Sequence, residues 1–189
     1  VSIGFLLATV SAVPLALMSV YFKFVFKVIY PATQLLRHIP PIAWIPLSIL
    51  FLGLGDRSSY FIVFMGAFFP LFINTFNGAR SLPVIYRQTC RSFKITGVTY
   101  LQKILFFYSL PYIFTGMKVA LGMAWMSVIA AELVGAQEGL GYFIQINRLL
   151  LKSENVVTGM IFIALVGYGL DNILEKLRSL LIPWENDKN

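Results

Sequence analysis

Long apolar runs separated by short polar stretches dominate this chain, and their spacing predicts helices that cross a membrane. The runs cover residues 1–22, 41–54, 59–77, 111–134 and 156–177. A helix needs about 20 apolar residues to span a bilayer, and all of these runs except the second approach that length. We expect the short second helix to begin within the linker that precedes it. The pattern predicts an all-α fold with about five transmembrane helices.

The longest polar interruption, residues 82–110, has a helical pattern of its own. It contains no acid, and its cations and the one just before it are Arg80, Arg87, Arg91, Lys94 and Lys103. Ile85, Thr89 and Phe93 recur at helical spacing on one face, opposite the arginines. This pattern predicts a short docking helix at the membrane surface.

A break follows this helix at Thr96 and Gly97, where Thr96 is a candidate N-cap residue. Beyond the break, residues 100–108 bring Leu101 and Ile104 to one face, which predicts a second short helix. We expect Pro111 to stop it, because proline cannot continue a helix without losing a backbone hydrogen bond. Two short helices at an angle would form a projecting knob.

The composition excludes an ordinary soluble domain. The chain is 58% hydrophobic and 12% charged, with a mean hydropathy of +0.80, whereas charged residues make up about a quarter of a soluble protein. We therefore predict an integral membrane protein that forms a single domain over residues 1–189. Because the chain begins at Val1, inside an apolar run, we expect an N-terminal piece to be missing.

The net charge of +7 is divided unevenly between the two sides of the predicted membrane. Alternating sides outward from segment 82–110 places further cations on its side, at Lys23, Lys27, Arg37, Lys176, Arg178 and Lys188. Arg57, Arg148 and Lys152 lie on the opposite side. Since cytoplasmic loops carry the excess of Lys and Arg, we expect segment 82–110 and the C-terminus to face the cytoplasm.

Few residues of this chain are suited to covalent chemistry or metal binding. Cys90 is the single cysteine and His38 the single histidine, so neither an internal disulfide nor a metal site is expected. The chain has no phosphate-binding Gly-Lys-Ser/Thr loop and no Gly-x-Ser-x-Gly nucleophile motif. We therefore expect no catalytic residue, no cofactor bound by this chain and no nucleic-acid partner.

Three charged side chains lie within the predicted spans or at their ends. Glu132 is near the outer end of one span, Asp171 is inside the last, and Lys118 is a turn or two from segment 82–110. Either carboxylate can line a path or make a local contact, Asp171 with a neighbouring helix and Glu132 as a cap for the next loop. We expect Lys118 to extend to the inner surface, with a substrate contact as the alternative.

Small residues mark one face of the predicted helix 111–134. At a spacing of four they are Gly116, Ala120 and Ala124, and a second series is Ser127, Ala131 and Gly135. Small side chains let helix backbones approach closely, so this face either packs within the chain or, with Glu132, faces a pathway or a second copy. The amphipathic segment 135–154 is expected to lie on or dip into the outer face.

Short motifs are distributed over nearly the whole chain. They read His-Ile-Pro-Pro-Ile-Ala-Trp-Ile-Pro-Leu at 38–47, Gly-Ala-Phe-Phe-Pro at 66–70, Leu-Pro-Tyr-Ile-Phe-Thr-Gly at 110–116, Ala-Ala-Glu at 130–132, Gly-Leu-Gly-Tyr at 139–142 and Leu-Ile-Pro-Trp at 181–184. On the basis of these motifs, the chain resembles permeases of type I ABC importers, in the binding-protein-dependent branch that handles nitrate, bicarbonate, sulfonates and taurine.

The cytoplasmic signature of these permeases runs Glu-Ala-Ala, three residues, Gly, nine residues, Ile, one residue, Leu-Pro, and it aligns with residues 88–107. Ile104 matches it, whereas Gln88 replaces the Glu, Lys94 the Gly and Phe107 the Pro. Gly97 can supply the tight turn three residues later. The resemblance implies that an ATPase contacts Gln88, Thr89, Cys90, Arg91, Lys94, Ile95, Thr96, Gly97, Val98, Thr99 and Tyr100.

The resemblance also implies a non-enzymatic, multi-pass permease of a bacterial inner membrane. Its partners would be a pair of ATP-binding subunits, a second permease copy, an extracytoplasmic binding protein and membrane lipid. ATP and Mg would bind to the ATPase, whose closure would rock the helices between inward and outward states. The substrate would be a small anion such as a sulfonate, taurine or nitrate, and the motif at 139–142 resembles sulfonate and taurine members more closely.

Two other functions fit the bulk pattern. An ion-coupled secondary carrier would use Glu132 and Asp171 as coupling carboxylates, but the internal repeat expected of such a carrier is not visible in the sequence. A structural subunit of a membrane complex would use segment 82–110 only to position the chain. Binding of an ATP-hydrolysing partner would distinguish the permease from both.

Overall fold

The computed structural model describes residues 1–183, and every regular element within that range is helical. The helices are α1 (Ser2–Tyr21), α2 (Lys23–Leu36), α3 (Ile45–Leu52), α4 (Asp56–Arg80), α5 (Val84–Ser92), α6 (Gly97–Tyr100), α7 (Phe106–Gly135), α8 (Leu140–Leu149) and α9 (Ser153–Leu181). A 3₁₀ turn (Pro41–Trp44) precedes α3, and a π-helical turn (Leu101–Leu105) joins α6 to α7. Lys188 and the Trp184 of the last motif lie outside the described residues.

Four helices within residues 1–183 are long and apolar enough to cross a membrane: α1, α4, the continuous helix from Gly97 to Gly135, and α9. A fifth span is possible as a bent pair, because α2 and the stretch from Pro41 to Leu52 meet at 96°. This confirms the predicted all-α membrane fold. The expectation that the second span begins in the linker before Pro41, where α2 lies, stays a prediction.

The prediction that Pro111 stops a helix is wrong, since α7 begins before this proline and continues to Gly135. A proline removes one intrahelical hydrogen bond. Ending the helix within a bilayer would leave several backbone groups without partners, and each of these is costly in hydrocarbon. The helix therefore tolerates Pro111 and loses one bond rather than many.

The core lies where α4 packs against α1 on one side and α7 on the other. Its fully buried side chains include Leu71, Phe72 and Phe76 of α4. Aromatic contacts extend the core toward α2, because the ring centroids of Phe76 and Tyr30 are 4.8 Å apart. In contrast, only 6% of the most apolar part of α9 is buried. The bundle is thus tightly packed around α4, with α9 at its edge.

Candidate functional site

Residues 84–100 project from the bundle as α5, a turn and α6, and we call this segment the knob. One hydrogen bond holds the knob to the end of α4, where the Arg87 guanidinium donates to the Arg80 carbonyl oxygen at 3.0 Å. The thiol-bearing Cys90 is the buried residue of α5, with 7% of its surface exposed. The predicted break after the first short helix is confirmed at residues 93–96. The predicted second short helix is wrong, because the helix that begins at Gly97 continues to Gly135.

The turn that ends α5 is a Schellman motif, in which two backbone N–H groups bond back to the last helical carbonyls. Ile95 N–H donates to the Cys90 carbonyl at 2.8 Å, and Lys94 N–H donates to the Arg91 carbonyl at 2.9 Å. Lys94 has φ +55°, in the left-handed region that favours glycine. This is the position at which the family signature has its glycine, so the lysine keeps the turn at some cost in strain.

A second left-handed residue follows at Gly97, with φ +64°, and no heavy atom of the described residues lies within 4 Å of the position that a Cβ atom would occupy. Glycine is therefore needed here for its backbone conformation and not for space. Thr96 occupies the N-cap position of α6, as predicted, but its side chain makes no capping hydrogen bond. The N–H of Gly97 instead donates to the Tyr21 hydroxyl at 2.9 Å.

The apolar face of α5 points away from the protein. Ile85 is 64% exposed and Phe93 75%, and Val98 on α6 is 65% exposed. Gln88, Thr89, Arg91, Lys94, Thr96 and Thr99 are also exposed, whereas Ile95, Gly97 and Tyr100 are half-buried. Large apolar side chains clustered on an open surface commonly mark a binding surface for another protein or for a membrane.

A cavity of about 260 Å³ lies between the knob and the end of α1. Its lining brings together the side chains of Tyr21, Arg87, Arg91 and Tyr100, with Cys90 also in the wall. The rings of Tyr21 and Tyr100 are 5.8 Å apart. The sequence analysis did not identify Tyr21 as part of this site, because no local pattern links it to Gly97, which lies 76 positions later.

The small-residue face of α7 is turned toward α4. Gly116, Ala120, Ala124, Ser127 and Ala131 are all buried in this structure. A Cβ atom added to Gly116 would lie 2.8 Å from the Asn74 Cβ on α4. Packing within the chain, one of the two interpretations offered by the sequence, accounts for the face in this conformation. A role for these residues at a pathway or a second copy stays a prediction.

At the opposite end of the bundle from the knob, Glu132 holds the start of α8. Its Oε2 accepts a hydrogen bond from the Gly141 N–H at 2.7 Å, which satisfies one of the donors left free at a helix start. A Cβ atom on Gly141 would lie 2.6 Å from the Ile129 carbonyl oxygen and 2.7 Å from the Glu132 Cβ. We call Glu132, Gly139 and Gly141 the clasp.

The motif Gly-Leu-Gly at 139–141 therefore has a steric reason that sequence reasoning missed. Gly139 has φ +113°, and a Cβ atom there would overlap the Glu132 carboxylate. The contact corresponds to the local capping interpretation of Glu132. The signal available in the sequence was the pair of glycines that follows a glutamate at the end of a span.

A cavity of about 850 Å³ lies beside the clasp. Its walls come from α3, the start of α4, the end of α7 and the loop 136–139. Among the described residues, the lining includes the carboxylates of Asp56, Glu132 and Glu138 and no Lys or Arg. An anion would thus find hydroxyl and backbone donors in this part of the chain, but no basic side chain.

Lys118 of α7 pairs with two carboxylates of α9. Its Nζ lies 3.1 Å from the Glu175 Oε2 and 3.5 Å from the Asp171 Oδ2. This confirms that Asp171 pairs with a neighbouring helix, and the extension of Lys118 to the inner surface stays a prediction. The three side chains are about half exposed. Charges on spanning helices are costly in hydrocarbon, so this face has to meet water or protein.

Among residues 1–183, no group of three or more His, Cys, Asp or Glu side chains is arranged to hold a metal ion. The two carboxylates that an ion-coupled carrier would use are both engaged, Glu132 with a backbone N–H and Asp171 with Lys118. Both carboxylates therefore make local contacts in this structure.

Known membrane transport proteins are similar to this chain over nearly its whole length. The family described as binding-protein-dependent transport system inner membrane component matches residues 4–179. A putative ABC transporter permease protein of Methanocaldococcus jannaschii is 39% identical over 182 residues, which is 96% of this chain and 68% of that protein.

Two further relatives carry a substrate in their names. A nitrate import permease protein of Synechocystis sp. is 35% identical over 98% of this chain and 67% of its own length. A putative aliphatic sulfonates transport permease protein of Bacillus subtilis is 32% identical, again over 98% of this chain and 67% of its own length. The chain spans about two thirds of the length of these relatives.

Proposed function

This chain belongs to the family of binding-protein-dependent transport system inner membrane components, the permease subunits of ABC importers, and we propose that its knob is the surface on which the ATPase subunit docks. Permeases of this family form the membrane pathway and contain no catalytic site, because a partner subunit hydrolyses ATP. The resemblance inferred from the sequence is thereby confirmed at the level of the family.

The observation that carries the proposal is the open apolar face of the knob. Ile85 and Phe93 are mostly exposed. Exposing such apolar side chains to water adds no stability, whereas burying them against a partner protein does. Arg91 and Lys94 add positive charge beside them, which can fix the orientation of a partner of opposite charge. The aligned signature places its ATPase-contacting residues, Gln88 to Tyr100, on this same segment.

Orientation and assembly follow from the docking surface. An ATPase works in the cytoplasm, so the knob would lie on the cytoplasmic side of the inner membrane and the clasp would face outward, toward a binding protein. The distribution of Lys and Arg supports this orientation. A pair of ATPase subunits that bind ATP and Mg would engage two permease copies, with each copy presenting one knob and with lipid around α9.

The proposed substrate class is a small anion such as nitrate, a sulfonate or taurine. Two of the relatives are named as nitrate and aliphatic sulfonate permeases. The cavity beside the clasp has no basic side chain from residues 1–183 in its lining. We therefore expect the binding protein to select the anion and the permease to conduct it with few charged contacts.

The direct test is co-purification of the tagged chain with its ATPase from membranes, followed by an ATPase assay. Ile85→Asp and Phe93→Asp are the test variants, because both side chains are exposed and the knob should still fold. Burying one such side chain contributes roughly 1.5–3 kcal/mol, so each variant should weaken ATPase binding by about tenfold or more. Leu149→Asp is the matched control, since Leu149 is 66% exposed on α8.

A second pair of variants tests coupling rather than binding. Arg91→Glu and Gly97→Pro should abolish substrate-stimulated ATPase activity while the chain remains inserted in the membrane. An ATPase that co-purifies with both aspartate variants as well as with the wild type, or stimulation that survives Arg91→Glu and Gly97→Pro, would refute the docking role. A chain that purifies without any ATPase would favour the carrier or the structural subunit.

A further inference from the structure

We propose that Tyr21 is a positioning residue that ties the knob to the end of α1, so that movement of the knob is passed to the first helix of the bundle. This inference rests on the docking role proposed above and extends it by one residue. The tie is the hydrogen bond that the Gly97 N–H donates to the Tyr21 hydroxyl, with a length of 2.9 Å.

The donor in this bond is a backbone N–H of the knob that needs a hydrogen-bond acceptor. Gly97 begins α6, and the first N–H groups of a helix have no partner within the helix. Thr96 stands at the N-cap but makes no side-chain capping bond. The Tyr21 hydroxyl therefore satisfies the N–H at the first position of α6 with an acceptor from another helix, whereas an N-cap side chain would accept from the second or third position. Such a local cap would connect the turn only to its own helix.

The acceptor is placed where the backbone changes direction. Tyr21 is the last residue of α1, and Phe22 follows in an extended conformation with φ −99° and ψ 111° before α2 begins. A contact at this corner can act on both α1 and α2, whereas a contact in the middle of a helix would act on a single rigid element. Because α1 packs along α4 at the centre of the bundle, a force on the corner would reach the core.

The hydrogen bonds at the base of the knob do not provide this connection. Arg87 bonds to Arg80 at the end of α4, and the Tyr108 hydroxyl donates to the Ser81 carbonyl at 3.3 Å. The first joins the knob to the end of α4, whereas the second joins α7 to the end of α4 outside the knob. The bond to Tyr21 joins it instead to a helix 76 positions away in sequence.

The space around the bond allows relative motion. The cavity of about 260 Å³ lies directly beside the bond, between the Tyr21 and Tyr100 rings and the arginines of α5. Within the described residues, no heavy atom lies within 4 Å of the Cβ position of Gly97, so the turn is not wedged. One hydrogen bond and one pair of rings thus link two elements that are otherwise loosely packed at this point.

The test compares transport with ATP hydrolysis in proteoliposomes that contain the complete importer. Tyr21→Phe removes the hydroxyl and keeps the ring. Tyr108→Phe is the control, because it removes a hydroxyl that bonds to Ser81 at the end of α4 and not to α1 or the knob. We expect Tyr21→Phe to lower the amount of substrate imported per ATP by about 2- to 10-fold, the effect of losing one hydrogen bond. Co-purification of the ATPase and its basal activity should be unchanged.

Tyr21→Leu removes the ring as well and should lower import per ATP at least as far as Tyr21→Phe. A merely structural role would lower the thermal midpoint or the yield and leave import per ATP unchanged. Unchanged import per ATP in both variants, or an equal loss in Tyr108→Phe, would overturn the proposal. Failure of the docking role is seen separately, as an ATPase that still binds the Ile85→Asp and Phe93→Asp variants.

Discussion

The knob and the clasp are both built around glycines and a short surface helix, yet the glycines serve different purposes. In the knob, Gly97 has a left-handed backbone and open space around it. In the clasp, the glycines lie against Glu132, and Gly141 also lies against the backbone of α7, so any side chain would collide with its neighbours. One end of the molecule is therefore defined by backbone conformation, and the other by close packing.

This difference matches what each end has to do. A docking element needs an open surface and a turn of defined shape, and the knob has both, with Phe93 exposed on α5. The clasp fixes α8 against α7 through the hydrogen bond from the Gly141 N–H to Glu132 and through the close approach of Gly141 to the α7 backbone. We infer that the knob can shift relative to the bundle, whereas α8 is held in place with the end of α7.

The largest expected effect on stability is at the clasp. Gly141→Ala places a Cβ atom against the Ile129 carbonyl and Glu132, so it should destabilise the protein by about 2–3 kcal/mol through overpacking. Gly122→Ala is the control, because no described atom lies within 4 Å of its Cβ position, and it should be neutral or slightly stabilising. Thermal unfolding in detergent would measure both. Equal midpoints for the two variants would contradict close packing at the clasp.

The next effect concerns the carboxylate of the clasp. Glu132→Ala removes the acceptor for the Gly141 N–H and should cost about 1–2 kcal/mol, whereas Glu132→Gln keeps an acceptor oxygen and should cost less. Amide hydrogen exchange should rise in residues 140–149 in the alanine variant. If Glu132→Ala also imports substrate at the full wild-type rate, the clasp has no role in the transport path.

An effect of similar size is expected at the turn of the knob. Gly97→Ala forces a side chain into the left-handed region and should cost about 1–2 kcal/mol by strain alone. Since the space around it is open, the variant should still insert and purify. A destabilisation as large as that of Gly141→Ala would show that Gly97 is also packed, and the contrast between the two ends would then be lost.

The smallest effect compares two Schellman motifs, one at each end. Leu151 ends α8 with φ +55°, as Lys94 ends α5 with φ +55°. Replacing either residue with glycine should relieve strain and stabilise the protein by up to about 1 kcal/mol. Both variants should raise the thermal midpoint, but only Lys94→Gly should alter ATPase stimulation. A change in stimulation with Leu151→Gly would remove the functional distinction between the ends.

The spans could be predicted because the apolar runs of α1, α4, α7 and α9 are long and carry few charges. Helix α2 was not predicted as an element of its own, and the residues before Pro41 were expected only as a linker in which the second helix begins. The clasp and the Tyr21 contact are tertiary, because each joins a side chain to a distant backbone N–H. No local periodicity encodes such contacts, and they become visible only when the helices are packed.

The central claim is that the knob meets the ATPase, and site-specific photo-crosslinking tests it most directly. The photoreactive residue p-benzoylphenylalanine would replace Phe93 in the knob or, as the control, Leu149 on α8. Irradiation of native membranes should link the chain to an ATP-binding subunit from position 93 and not from position 149. A product with that subunit only from position 149, or no such product from position 93 in an importer that still hydrolyses ATP, would contradict the account.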